Sequence, residues 1–185
     1  SEVRVQSFLW ENATHEALRT TLSFRRNPAA GGKPLADAGP WAIQDYIEAP
    51  EDTRFLQSFK SFAASASFTD TAVFTSRYRF EDLMATYLGK VREHAGLEHF
   101  PKCLAIGRPV TFAGQSPDDA LAKRRYATAL GALGFEKVSY VLEPVDAAAP
   151  LHFRAGQHLT LLVNIDGVTH RRCYSFSCAP TPEAR

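Results

Sequence analysis

The chain has 185 residues, of which 45% are apolar and 22% charged, with 21 Lys and Arg against 20 Asp and Glu. That length suits one domain or two small ones, and the apolar fraction supplies a packed core and excludes disorder as the main state. The net charge of +1 is too small to hold a polyanion by counterion release, which disfavours a dedicated nucleic-acid binder.

Three cysteines, Cys103, Cys173 and Cys178, are odd in number and sparse, unlike the crowded, even framework of a small secreted scaffold. A reducing cytoplasm is therefore the expected compartment. No stretch approaches the roughly 20 apolar residues of a membrane span, and no charged start followed by an apolar run marks a signal peptide. Asn12-Ala13-Thr14 matches a glycosylation acceptor, a pattern too short to carry weight. The start at Ser1, without a methionine, reads as a processed or trimmed product.

In chain order, the stretch from Asn27 to Pro34, with Gly39-Pro40 behind it, reads as a loop. Trp41, Ile43 and Ile47 then predict a short helix begun at Pro40, which has no N–H to leave unsatisfied in a first turn, and stopped at Pro50. Phe55, Leu56, Phe59 and Phe62 recur at helical spacing and predict a second helix, capped by Asp52 and Thr53, with one apolar stripe toward a core. The clearest helix runs from about Phe80 to His94, where Phe80, Leu83, Met84, Tyr87, Leu88 and Val91 keep the i, i+3, i+4, i+7 rule, and Gly96 stops it. Cys103 to Ile106 and Val110 to Phe112 read as strands. Ser116-Pro117-Asp118-Asp119 supplies a cap, a proline and acids at the positive dipole end of a further helix, which continues to Leu133 and ends at Gly134.

Past Phe135 the period changes to alternation, and a domain edge is placed near residue 134. Val138, Tyr140 and Leu142 mark one strand, and Leu159, Leu161, Val163 and Ile165 another. Asp166-Gly167 is suited to a tight hairpin turn, with the returning strand starting at Val168. Along that strand Arg172 and Tyr174 share a face about 7 Å apart. A guanidinium grips phosphate oxygens in two-pronged, charge-assisted fashion, and a neighbouring phenol ring offers a plane to an aromatic heterocycle. Ser175 adds a hydroxyl close by if the strand bends there.

Phe153-Arg-Ala-Gly156-Gln157-His-Leu-Thr-Leu161, then Asp166-Gly167, then Arg172-Cys173-Tyr174-Ser175 resembles the FAD-binding barrel of the ferredoxin–NADP reductase superfamily in letters, order and spacing. Within that superfamily it is most similar to the reductase components of oxygenases and desaturases. The resemblance covers about residues 136 to 180. It implies that Arg172 holds the flavin pyrophosphate, that Tyr174 packs on the isoalloxazine or ribityl portion, that Ser175 lies near the reactive edge of the ring, and that Gly156 and Gln157 shape the turn entering the preceding strand. Family members usually carry Pro where this chain has Ala155. They also continue into further strands, a pyrophosphate-binding turn and a nicotinamide domain, whereas seven residues follow Cys178 here. No glycine-rich dinucleotide fingerprint appears, so NAD(P)H would bind only through a domain absent from this chain, and the chain reads as a fragment or an incomplete relative.

Other residue patterns have structural readings. Cys173 and Cys178 lack the further cysteines of an iron–sulfur run and fall on opposite strand faces. His94 and His99 lie about 140° apart around a helix that Gly96 breaks, so no metal site is assigned. Lys123, Arg124 and Arg125 read as a solvated helix face, and no catalytic residue can be named. The expectation is thus an α+β protein: residues 1–134 form a mixed helical domain of unknown role, and residues 135–185 part of a flavin-binding antiparallel β-barrel. The expected function is FAD-dependent electron transfer toward a redox or iron–sulfur partner. The alternative is a non-catalytic protein-interaction module with a structural C-terminal β-hairpin. Open strand edges would give either one a route to oligomers.

Overall fold

The computed structural model describes residues 5–29, 32–108 and 116–142 and, as backbone, 158–165 and 168–175. The chain divides into two compact units, the first running over Val5–Pro144 and the second holding the strands that follow. Both helices and strands are present, so the fold is α+β.

The first unit opens with a hairpin of β1 (Phe8–Trp10) and β2 (Ala13–His15). Its two turn residues, Glu11 (φ 46°) and Asn12 (φ 63°), are both left-handed, the pairing that matches strand twist in a two-residue turn. Next comes a three-stranded antiparallel sheet with β3 (Thr21–Arg25) in the centre, flanked by β4 (Leu35–Ala38) and β5 (Thr53–Gln57). The two faces of β3 have different partners. Leu22 and Phe24 enter the hydrophobic core, while Thr21 Oγ1 donates to the Gly39 carbonyl (2.9 Å) and Ser23 Oγ donates to Asp45 Oδ2 (2.7 Å) under helix α1 (Gly39–Glu48). That helix has Pro40 in its first turn, as the sequence predicts.

The helix expected over Phe55 to Phe62 is absent. Phe55 and Leu56 lie in β5, opposite Ser23 and Leu22, and Phe59–Ala64 form a 3-10 helix entered through Ser58 at φ 54°. Pairing with β3 takes the first half of the apolar stripe into the sheet, and left-handed Ser58 prevents a continuous helix. Thr53 caps no helix; it begins β5, and its hydroxyl donates to the Asp45 carbonyl (3.3 Å).

A short hairpin, β6 (Thr71–Val73) and β7 (Ser76–Tyr78), leads into α2 (Phe80–His94). Asp82 Oδ2 accepts from the Arg79 N–H (2.8 Å) at the start of α2, and Gly96 takes φ 67° beyond its end. Phe80, Leu83 and Met84 of its apolar stripe are buried in the core. Strand β8 (Cys103–Arg108) precedes α3 (Asp119–Ala132), whose cap is Asp118: its Oδ1 accepts from the Leu121 N–H (2.8 Å). The two helices meet through Phe80 and Tyr126, ring centroids 5.3 Å apart in an edge contact. Strand β9 (Lys137–Leu142) returns parallel to β8, with Cys103 opposite Lys137 and Arg108 opposite Leu142. The expected strand at Val110 to Phe112 lies outside the described residues.

The second unit presents an antiparallel hairpin of β10 (His158–Ile165) and β11 (Val168–Ser175). Ile165 faces Val168, so two residues, Asp166 and Gly167, separate the strands. Among the described residues the sheets have two or three strands and none closes on itself. No helix of the described residues is long and apolar enough to cross a membrane.

Candidate functional site

Strand β11 is extended and registered with β10 over its whole length, which fixes where the flavin-site candidates stand. Arg172 lies opposite Leu161 and Tyr174 opposite Leu159. Two residues apart on one strand, they share a face by the alternation of the pleat and are about 7 Å apart along it. Ser175, the last residue of the strand and opposite His158, takes the other parity. Gly156 and Gln157 lie outside the described residues.

The first unit holds polar constellations that local sequence patterns do not disclose. His94, the last residue of α2, places Nε2 2.6 Å from Asp37 Oδ1 on β4, and its ring stacks on Trp41 of α1 at 3.5 Å and 4°. These three residues join the end of α2 to the junction of β4 and α1. Among the described residues no three His, Cys, Asp or Glu side chains converge into a metal-binding group. Asp45, besides its bond from Ser23, pairs with Arg25 Nε at 3.2 Å. The partners in these ties are separated by 20 or more residues, so no helical or strand period signals them.

Arg125 corrects the reading of a solvated basic face. It is 8% exposed, and its guanidinium donates to four backbone carbonyls. Nη1 reaches those of Phe62 (2.8 Å), Ala63 (3.1 Å) and Ser65 (3.1 Å), and Nη2 that of Phe68. The charge thus meets carbonyl dipoles that the 3-10 helix and the residues after it turn toward α3, and it fixes the path of residues 62–68. Along that fixed segment lies a cleft of about 240 Å³, bordered by β5, β6 and α2.

Two phenols near the core are harder to ionise than in water. Burial pushes Tyr87 up, partly opposed by a hydrogen bond with Thr20. Burial also raises Tyr78, and the nearby negative charge of Asp82 adds to the shift. No protein-family model matches the chain.

Proposed function

We propose that this chain is a flavin-dependent electron-transfer oxidoreductase component, a partial relative of ferredoxin-reductase-type proteins, with FAD seated at the β10–β11 hairpin. The observation supporting the reading is the register of β11, which sets Arg172 and Tyr174 on one face at a spacing suited to a phosphate beside a planar ring. Arg172 grips the pyrophosphate, Tyr174 lies against the isoalloxazine or ribityl portion, and Ser175 stands near the reactive edge. Gly156 and Gln157 shape the approach to β10. The cleft in the first unit, about 240 Å³, is below the roughly 300–1,000 Å³ of drug-sized ligand pockets and too small for a dinucleotide, so it does not compete as the flavin seat. When bound, FAD supplies two-electron acceptance and one-electron release. The chain's own residues bind, orient and partly cover it. NAD(P)H is the electron donor, and an iron–sulfur protein is the electron acceptor.

A titration of FAD into the purified chain, followed by visible absorption, tests this reading. Arg172→Ala is expected to weaken binding by about 1.5–3 kcal/mol, or roughly 10- to 150-fold. Equal affinities, or no flavin binding by the folded wild type, overturn it. A second reading, a protein-interaction module, is favoured by one feature. Among the described residues β10 and β11 pair only with each other, leaving two outer edges to which a partner strand can add. Folded protein that binds no flavin selects this second reading.

A further inference from the structure

We propose that the cleft of the first unit is a binding site for a small aromatic carboxylate, separate from the hairpin and independent of flavin. Its inner wall is apolar, made by Leu56 of β5, Phe59 and Phe62 of the 3-10 helix, Phe68, and Leu83 of α2. Its lip is polar, with Arg54 and Gln57 of β5 and Thr71 of β6.

Three observations define the occupant. The aromatic wall is preorganised: Phe62 stacks on Phe68 with centroids 4.8 Å apart and 11° between planes. The carbonyls of these same two residues are held by Arg125. Phe62 nevertheless leaves 43% of its surface exposed, so a flat ring is held in place and open to solvent, where another ring can gain by stacking. Next, Arg54 presents a charge at the lip. Its guanidinium donates to Thr71 Oγ1 at 3.4 Å, a long neutral contact, and among the described residues no carboxylate pairs with it. A fork-shaped cation beside an apolar wall complements a planar anion with an apolar body. Last, size favours a small ligand: about 240 Å³ encloses one ring with a short acidic arm but not a whole nucleotide.

The test uses phenylacetate and its neutral analogue phenylacetamide with the full chain, read by amide chemical shifts. Phenylacetate is expected to give saturable shifts centred on Leu56, Phe62 and Phe68, with the amide binding at least fivefold more weakly. In Arg54→Gln the two compounds are expected to bind alike, and Arg54→Lys is expected to recover part of the preference for the acid. Arg54 is solvent-exposed on an edge of the sheet, and each variant's own amide spectrum verifies its fold. Absence of saturable shifts, shifts centred elsewhere, or an acid preference undiminished in Arg54→Gln overturns the proposal. FAD binding at the hairpin plays no part in this readout, so the two readings stand or fall separately.

Discussion

Replacing Arg125 by Met keeps an unbranched apolar stem under the 3-10 segment and removes all four guanidinium contacts. The carbonyls of Phe62 and Ser65 keep backbone donors, from Ser65 N–H (3.1 Å) and Phe68 N–H (3.2 Å). Those of Ala63 and Phe68 lose the guanidinium. The buried Ala63 acceptor, left short of a donor, costs about 1–3 kcal/mol, and the part-buried Phe68 acceptor costs less because water can reach it. Met loses about as much side-chain entropy on burial as Arg, so that cost roughly cancels. The expected net destabilisation is therefore about 2–4 kcal/mol, equivalent to a fall in Tm of roughly 6–12 °C for a unit of this size. Both tryptophans, Trp10 and Trp41, lie in the first unit, so urea unfolding followed by tryptophan fluorescence reports on it directly. Arg125→Lys, with one nitrogen in place of a fork, should fall between the two. If Arg125→Met unfolds within about 1 kcal/mol of the wild type, below the cost of even one orphaned carbonyl, the four contacts do not anchor the segment.

Two further perturbations test the backbone and the buried phenols. Ser58 has φ 54° and no side-chain capping bond, so Ser58→Gly removes a left-handed strain of about 1–2 kcal/mol, partly offset by glycine's freedom in the unfolded chain. The net gain should be about 0.5–1 kcal/mol in chemical denaturation, and a loss would contradict the strained geometry. Tyr87 has a folded-state pKa raised above its ordinary 10.0. Its contribution is therefore complete below pH 10 and is lost as pH rises through the folded value, because the unfolded chain releases its proton first. Tyr87→Phe should flatten the alkaline limb of a plot of stability against pH, and Tyr78→Phe should act in the same direction. Alkaline limbs that match the wild type would refute the burial of these phenols.

Local signals predicted some elements well and others badly, for identifiable reasons. The helices at Phe80–His94 and Asp119–Ala132 combine an apolar period with stop signals at Gly96 and Gly134, so local chemistry and tertiary packing agree there. At Phe55 to Phe62 they conflict. The helical spacing is real, but cross-strand pairing of Phe55 and Leu56 with β3 overrides it. Alternation correctly predicts a strand at Val138, Tyr140 and Leu142, yet a period of two does not say which neighbour the strand joins, and β9 lies parallel to β8. The hairpin at residues 158–175 was legible because an Asp-Gly turn between two alternating runs fixes its register. Arg125 was not: a run of three basic residues looks solvated until the carbonyls of a segment some 60 residues earlier are brought beneath it. The ties of His94 to Asp37 and of Trp10 Nε1 to Gln44 Oε1 (3.1 Å) were hidden for the same reason.

The acceptors clasped by Arg125 precede it by 57 to 63 residues. At a synthesis rate of about 5–20 residues per second, the ribosome releases Phe62 and Phe68 roughly 3–12 s before the arginine that anchors them exists. During that interval the nascent chain carries Phe62 and Phe68 without the side chain that holds their carbonyls. Completion of the third helix is therefore the first moment at which residues 62–68 can be held on the path they take in the finished fold.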